Sequence, residues 1–363
     1  MIFAIKELLY GKKKYILIEL LLILLMFMVL FLSGLASGLG RAVIAGIESM
    51  DADYFLLNDS AEKLITVSEL PDEAMNEIKT QTVAKLAPLD IQRMYLQKQD
   101  ADEKINITYF AEQPGSFIEP EIMEGKGLAN THTKNPIVLD DDFMVQGISL
   151  GDTVRDSSSG LEFTVVGFAK DQMYGHVSIG FITTEDYTAL RTALNPHYEQ
   201  AYHAIAVKGD VSGVKIDGCE LISKDEVIKS IPSYSAEHTT INMIVWVLVI
   251  VSAVIIGIFS YILTLQKRKQ FGVMKAVGLG MGKLASIVIS QNLLLSLFAA
   301  VIAGLLTFGM REILPQTMPF YLQMQTACAV STAFVVISVL SSLLSIINIA
   351  RIDPVQAIGG GDE

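Results

Sequence analysis

The chain has 363 residues, of which 51% are hydrophobic, yet its formal net charge is −12. This combination excludes one ordinary soluble domain unless the apolar and charged residues are segregated along the chain. The acidity also argues against nucleic acid as a partner, because binding phosphate groups requires positive charge.

Four long stretches carry almost no charge, and each exceeds the roughly 20 residues with which an α-helix crosses a bilayer. The sequence therefore predicts a membrane protein with four transmembrane α-helices and a large α+β extracytoplasmic domain between helices 1 and 2. The predicted segments are a cytoplasmic N-terminal segment (1–14), helix 1 with an outward extension (15–50), the α+β domain (51–231), helix 2 (232–265), a cytoplasmic segment (266–283), helix 3 (284–308), an extracytoplasmic loop (309–325), helix 4 (326–350) and a cytoplasmic tail (351–363).

Positive charges near the helix ends indicate the orientation, since lysine and arginine concentrate in cytoplasmic loops. Three lysines at 12–14 precede helix 1, and five basic residues lie between helices 2 and 3. We therefore predict a multi-pass protein of the cell membrane with both termini in the cytoplasm. Residues 51–238 hold 32 acidic against 15 basic side chains, a net charge of −17, which suits a solvated domain outside the cell.

Helix 1 carries a possible packing motif. A cleaved signal peptide is an alternative interpretation of this segment, but its apolar stretch is longer than the usual h-region of about 7–15 residues. Gly34 and Gly38 in "SGLASGLG" have the four-residue spacing that lets two helices approach closely. We predict that this face of helix 1 packs against another helix.

The exterior domain shows both helical and strand patterns. Apolar spacing predicts helices in "DEAMNEIKTQ" (72–81) and "TTEDYTALRTAL" (183–194), the second with a threonine cap. Turn residues bound four predicted strands and a hairpin turn at Asp156 to Gly160. The strands are "NPIVLDDDFM" (135–144), "LEFTVVGFAK" (161–170), "HVSIGFIT" (176–183) and "YHAIAVKGD" (202–210).

Catalytic signatures are missing from the sequence. It contains no G-x-S-x-G, H-E-x-x-H or C-x-x-C-H pattern, and Cys219 and Cys328 have no pairing or metal-site spacing. "VGLGMGK" (277–283) resembles a phosphate-binding loop, but it is one residue short and Leu284 replaces the hydroxyl that would hold magnesium. We expect a non-catalytic chain, so any ATP hydrolysis must come from another polypeptide.

Two segments nevertheless resemble a known family. "KRKQFGVMKAVGLGMGKL" (267–284) is similar to the stretch with which FtsX/MacB-type ABC transporter permeases dock on their ATPase, and "ARIDPVQAIGG" (350–360) is similar to their C-terminal Asp-Pro signature. The order of helices and domain is also that of the family. A narrower resemblance is to the HrtB branch, the permeases of haem-regulated transporters. The segments that carry it are "AIKELLYGKKKYILI", "FLSGLASGLGR", "DQMYGHVSI", "SYSAEH…NMI", "TMPFYL" and "DPVQAIGGG".

The resemblance implies the permease subunit of an ABC-type haem efflux transporter. Haem would be the transported ligand, with no intrinsic cofactor and no metal other than the haem iron. The implied partners are a second copy of the chain, two copies of an ATP-binding subunit that carries ATP and Mg²⁺, and membrane lipid. Movement of the ATPases would press on segment 266–283, and helices 1 and 2 would carry it outward. The implied coupling residues are Phe271, Gly272, Met274, Lys275 and Gly278.

The start of helix 2 is the candidate ligand site. Tyr234, Glu237 and His238 stand three and four residues apart, on one helical face, whereas Met243 is rotated away from them. Phenolate, carboxylate and imidazole can all ligate ferric iron. The haem-binding residues that the resemblance suggests are Tyr234, Glu237, His238, Met243, Met50 at the outer end of helix 1, and Tyr174 and His176 of "MYGHVS".

Structural roles for these residues stay open. A first-turn glutamate complements the helix dipole without any ligand, and tyrosine is an ordinary anchor at membrane interfaces. Two other functions also stay open: an FtsX-like regulator of an extracytoplasmic hydrolase, and a MacB-type permease that handles peptides or lipids.

Overall fold

The computed structural model describes residues 10, 12–98, 103–232, 234–311, 313–314 and 318–350. It divides into two compact units. The sheet unit comprises Leu39–His238, and the helical unit comprises the residues up to Gly38 and from Thr239 onward. The C-terminal tail with the Asp-Pro signature lies outside the described residues.

The helices and strands follow in chain order. The helices are α1 (Lys12–Glu48), α2 (Asp72–Gln81), α3 (Asp142–Val145), α4 (Thr184–Leu194), α5 (Lys224–Ser230), α6 (Tyr234–Gln266), α7 (Arg268–Ala276), α8 (Met281–Arg311) and α9 (Met324–Ala350). The strands are β1 (Tyr54–Asn58), β2 (Leu70–Pro71), β3 (Lys85–Lys98), β4 (Lys104–Glu112), β5 (Ile122–Gly125), β6 (Pro136–Asp140), β7 (Thr153–Asp156), β8 (Glu162–Ala169), β9 (Met173–Tyr174), β10 (Val177–Thr183), β11 (Ala201–Tyr202), β12 (Ala204–Lys208) and β13 (Cys219–Ser223).

Four helices, α1, α6, α8 and α9, are long and apolar enough to cross a membrane. This confirms the prediction of four membrane helices with a sheet-rich domain after the first. The third helix begins at Met281, three residues before the predicted start. The reason is a tight turn after α7, in which Gly278 adopts a φ of +93°, so that the chain re-enters a helix sooner.

The helical unit has its own apolar core. Met26 and Leu30 of α1 are fully buried there, together with Leu295 and Ala299 of α8 and Phe334 of α9. The small side chain of Ala299 lets the helices approach closely, as is common where helices pack in membranes.

The glycine motif of α1 has a different partner from the one predicted. The residues that contact it are Pro319 and Phe320, from the segment between α8 and α9, and the amide of Tyr321 donates to the Gly34 carbonyl at 2.9 Å. A Cβ on Gly38 would collide with the Pro319 carbonyl oxygen. The prediction of a helix partner was therefore wrong: the glycine face of α1 receives an extended segment that carries Pro319 and Phe320.

The sheet unit contains a closed set of strands. The large sheet runs β13-β1-β12-β3-β4-β10-β6-β8-β5, and β7 pairs with both β3 and β8. Consequently β3, β4, β10, β6, β8 and β7 return on themselves as a six-stranded barrel. Its interior is filled by a cluster that includes Leu96, Ile107, Tyr109, Phe163 and Leu139.

The outside of this barrel forms a second core. Alternate residues of a strand point to opposite faces, so Phe110 of β4 lies in the outer cluster although its neighbours Tyr109 and Ala111 lie inside the barrel. The outer end of α1 packs here, through Val43 and Ile47. The barrel therefore carries the last turns of α1 on its outer face.

Local sequence signals gave correct helices and one correct hairpin. Helix α2 has the predicted bounds, and Thr183 caps α4 by accepting a hydrogen bond from the Asp186 amide at 3.0 Å. The β7–β8 hairpin turns at Asp156 to Gly160, as predicted. The strand predicted over 135–144 was wrong in its second half, because β6 ends at Asp140 and α3 buries Phe143 beneath the sheet.

Candidate functional site

The first turns of α6 place three of the predicted side chains together. The helix begins at Tyr234, and Glu237 lies in its first turn. The rings of Tyr234 and His238, one turn apart, have centroids 5.5 Å apart and planes tilted by 35°. The helical spacing therefore holds a phenol and an imidazole side by side, next to a carboxylate.

A hairpin brings His176 to the same place. Strands β9 and β10 pair Tyr174 with Val177, which leaves Gly175 and His176 as a two-residue turn. Both turn residues have positive φ, 57° and 62°, as a type I′ turn requires. Positive φ is uncommon for a residue with a Cβ. Tyr174 and His176 therefore do not lie on one strand, because the chain reverses between them.

The turn is fixed to α1 by backbone hydrogen bonds. The Gly175 amide donates to the Val43 carbonyl at 3.0 Å, and the His176 amide donates to the Ala42 carbonyl at 2.9 Å. A Cβ on Gly46 would collide with Ile179, so the glycine permits the close approach of α1 and β10. No sequence motif indicates these backbone contacts, so they were not predicted from the sequence.

His176 and Glu237 form the central contact of the site. His176 Nε2 lies 3.0 Å from Glu237 Oε1, across 61 residues of sequence. The side chains are 40% and 28% exposed, so a ligand can reach them. The second oxygen, Glu237 Oε2, is enclosed and has no hydrogen-bond partner within the described residues. An enclosed oxygen without a donor makes the carboxylate ready to accept a hydrogen bond or a metal.

Tyr174 flanks the β9–β10 turn that carries His176. Its ring packs edge-on against Phe110, with centroids 5.5 Å apart and planes at 65°. Burial raises the pKa of the Tyr174 phenol to about 12, so it is neutral at physiological pH. The residue can therefore offer an aromatic face and a hydroxyl group, but not a ready phenolate.

The two predicted methionines have different surroundings from each other. Met50 follows the end of α1 and is only 3% exposed, packed in the outer cluster of the barrel. This corrects its prediction as a haem contact, because no face of its side chain is presented to a ligand. Met243 belongs to the helical unit, where it is 60% exposed.

The predicted coupling residues lie on and after α7. Phe271 is buried with Leu284 and Val288, and Met274 packs against this small cluster. Gly272 is also buried, Lys275 is half-buried, and Gly278 forms the turn toward α8. Lys267, just before α7, donates to Gln291 Oε1 at 2.9 Å and lies 5.3 Å from the centre of the Tyr15 ring. Helix α7 is thus packed against α8 and tied to α1.

A metal site built by the chain alone is not found in the described ranges, where no three His, Cys, Asp or Glu side chains converge. The pair formed by His176 and Glu237 instead offers two donors to a metal that brings its other ligands with it.

Comparisons with known proteins agree with this architecture. The periplasmic region of MacB from Actinobacillus actinomycetemcomitans is similar over 52% of this chain and 96% of its own, at 12% identity; its TM-score of 0.36 is too low to support an assignment. A protein of Staphylococcus haemolyticus, assigned by name as the hemin transport system permease protein HrtB, is 26% identical over 98% of this chain and 99% of its own length. Its counterpart in Staphylococcus epidermidis strain ATCC 12228 is 27% identical over 99% of both chains. The model of the FtsX-like permease C-terminal family matches residues 242–354. Residues 242–354 therefore match the FtsX-like permease family, and the whole chain is similar to permeases named for hemin transport.

Proposed function

We propose that this chain is the permease subunit of an ABC transporter that expels haem from the outer part of the membrane. The observation that carries the proposal is the contact of His176 with Glu237, beside Tyr234, His238 and Tyr174. It brings together four of the seven predicted haem-binding residues from two distant segments, and Tyr174 lies two residues before His176. The full-length relatives named for hemin transport support haem as the ligand.

The chemistry of haem matches this set of side chains. Haem has an apolar ring, an iron atom with free axial positions and two carboxylates. An imidazole or a carboxylate of the site can ligate the iron, and the aromatic rings of Tyr174 and Tyr234 can contact the macrocycle. The iron would compete with His176 for Glu237, so ligand binding would open the contact between the β9–β10 turn and α6.

The distribution of charge supports the proposed orientation of the chain in the membrane. The sheet unit is strongly acidic, and lysines cluster at the opposite ends of the membrane helices. We therefore place the sheet unit outside the cell and both termini in the cytoplasm. Haem dissolves in lipid, so it can reach the site sideways from the outer leaflet without an aqueous channel.

A separate ATPase supplies the energy in this proposal. Two ATP-binding subunits would bind two copies of the permease, because paired subunits with two-fold symmetry are the commonest closed assembly. They would press on α7 through Phe271, Gly272, Met274, Lys275 and Gly278. Since Phe271 is buried against α8, movement of α7 would be passed directly to a membrane helix.

Binding of haem is the first test. The full chain is purified with haemin, and its Soret spectrum is recorded for wild type, His176→Ala, Glu237→Ala and Tyr234→Phe. We expect a shifted Soret band in wild type and a changed band in the first two variants. His197→Ala, at an exposed histidine of the same unit, is the matched control and should behave as wild type.

The outcomes separate the ligand from the site. Absence of bound haem in wild type would reject the substrate. Unchanged spectra in both His176→Ala and Glu237→Ala would reject the site and leave the substrate standing. Cells that express the ATPase should become more resistant to haem only when the permease is present; greater sensitivity would indicate import.

A further inference from the structure

The helical unit contains an apolar cavity that the haem proposal does not use. Its volume is about 300 Å³, and it lies between α1, α6 and α9. The lining residues are Val29, Val245, Trp246, Val249, Ser252, Ala329, Val330, Ala333, Phe334 and Ile337. Among the described residues that line it, none is charged, and Ser252 contributes the one hydroxyl group.

The cavity results from the way two helices face each other. On α6 the lining positions 245, 249 and 252 are spaced by four and three, and on α9 positions 330, 333 and 337 are spaced by three and four. Such spacing places each set on a single helical face. Small alanines on α9 face larger residues on α6, and the two faces do not fill the space between them.

The cavity is continuous with the surface that faces lipid. Trp246 lines it and is 67% exposed, and its neighbours Val247 and Ile250 are also exposed on α6. On α9, Val336 and Leu340 are exposed beside the lining residues. These side chains belong to membrane-spanning helices, so acyl chains cover them, and the same acyl chains have access to the cavity.

We propose that the cavity holds one acyl chain of a bilayer lipid, inserted between α6 and α9. Water has too few polar partners to occupy it, and an empty void would forfeit dispersion contacts along its whole lining. Haem is a poor fit, because its two carboxylates would find no cation or donor there. A flexible hydrocarbon chain meets all of these conditions.

An inserted chain would act as a removable spacer. While it is present, α6 and α9 stay apart; when it leaves, α6 can move toward α9 and close the void. The spacing of α6 would then depend on the length and shape of the surrounding lipid chains. This inference does not rest on haem as the substrate.

Trp246 makes the site directly measurable, since it is the single tryptophan of the chain. The full chain is reconstituted in phosphatidylcholine in which a fixed fraction of the lipid carries bromine at mid-chain, and quenching of tryptophan fluorescence is recorded. A reporter for ordinary lipid contact is the double variant Trp246→Phe, Val301→Trp, because Val301 is exposed on α8. We expect stronger quenching of Trp246 than of this reporter.

Filling the cavity should remove the stronger quenching of Trp246. Ala333→Phe and Ala329→Phe each place a ring among the lining residues, so Trp246 quenching should fall to the level of the reporter. Val336→Phe adds the same ring on the outer face of α9 and should leave quenching unchanged. Two filling variants guard against a folding defect in either one.

Other occupants give different results. Equal quenching in wild type and both filled variants would overturn the proposal. So would quenching of Trp246 below that of the reporter, because this would mean that a second copy of the chain covers the cavity and excludes lipid. Neither result bears on the Soret test, so the two proposals can fail separately.

Discussion

Buried polar side chains differ in kind between the two units. In the sheet unit they include carboxylates, Asp90, Glu112, Asp140 and Asp156, each at most 1% exposed. Among the described residues of the helical unit, the side chains that are buried as a whole carry hydroxyls and amides, and two of the threonines bond within their own helix. Glu19 is partly exposed as a residue, but both of its carboxylate oxygens are enclosed. Thr264 donates to the Ser260 carbonyl at 2.8 Å, and Thr307 to the Ala303 carbonyl at 2.8 Å.

The surroundings of each unit explain the difference. Loops of the sheet unit have backbone amides without partners, and a buried carboxylate can accept several of them at once. In a membrane helix the backbone is already paired, so a hydroxyl needs only the spare lone pair of a carbonyl one turn earlier. Buried carboxylates such as Asp156 therefore organise loops in the sheet unit, whereas Thr264 and Thr307 bond only to their own helix in the helical unit.

The largest expected effect comes from removing a loop-organising carboxylate. Asp156 Oδ1 accepts bonds from the Ser158 amide at 3.1 Å, the Ser159 amide at 2.6 Å and the Ser159 hydroxyl at 2.7 Å. Asp156→Ala should lower the free energy of unfolding by about 3 kcal/mol, at about 1 kcal/mol per lost bond. Thermal unfolding of the purified chain, followed by near-ultraviolet circular dichroism, measures this. Asp217→Ala, at an exposed aspartate, should have no effect; equal losses in both variants would contradict the assignment.

Glu112 adds a pH dependence to the sheet unit. Burial, helped by the nearby charge of Glu119, raises its pKa from 4.5 to about 8. The folded state therefore holds the proton more tightly than the unfolded chain. Its contribution to stability is complete below pH 4.5 and is lost as pH rises to about 8.

Glu112→Gln should remove this dependence. The variant should be more stable than wild type by on the order of 2 kcal/mol near pH 8, where wild type must bury a charge or retain a proton. The stabilities of wild type and Glu112→Gln should become similar at acid pH. Unfolding midpoints measured across the range test the difference, with Glu121→Gln as the exposed control. If the stability of Glu112→Gln still falls as pH rises, the pH dependence belongs to another titratable group.

Packing should matter more than polarity in the helical unit. Gly38→Ala should destabilise the chain by about 2 kcal/mol, because overpacking against the rigid Pro319 backbone forces a shift. Gly304 has open space around it in α8, so Gly304→Ala is the matched control and should be neutral or slightly stabilising. Unfolding in detergent compares the two; a Gly38→Ala variant as stable as Gly304→Ala would show that the 318–322 segment does not hold α1.

The smallest effect should come from a buried hydroxyl. Thr264→Val removes the bond to the Ser260 carbonyl, but that carbonyl keeps its helical partner, so the loss should stay below about 0.5 kcal/mol. The same unfolding assay applies. A loss as large as that for Asp156→Ala would break the distinction between the two units.

Signals within a few residues predicted the helices well and the barrel poorly. Charge-free length identified the membrane helices, and the Thr183 cap marked the start of α4. Strands β3 and β4, the longest pair of the barrel, were not predicted, because Pro88 interrupts the pattern of β3 and proline argues against a central strand. Barrel closure also depends on the pairing of β7 with the distant strand β3, which no local pattern encodes.

The site was predictable as residue types on one helix but not as a contact. Helical spacing joined Tyr234 to His238, whereas the pairing of Glu237 with His176 depends on a turn held by carbonyls of α1. Backbone groups are the same in every residue, so they leave no trace in sequence. The prediction for Met50 was wrong for a different reason. Methionine occurs both at ligand sites and in apolar cores, so the residue type does not distinguish the two.

The positive φ of His176 sets the stability of the β9–β10 hairpin against the proposed function of its imidazole. Glycine fits a positive φ without strain, so His176→Gly should make the hairpin more stable while removing the imidazole that meets Glu237. Selection for a firmer fold alone would favour glycine at this position. His176 therefore adopts a positive φ that glycine would adopt with less strain, and it places an imidazole at the tip of the hairpin, next to Glu237.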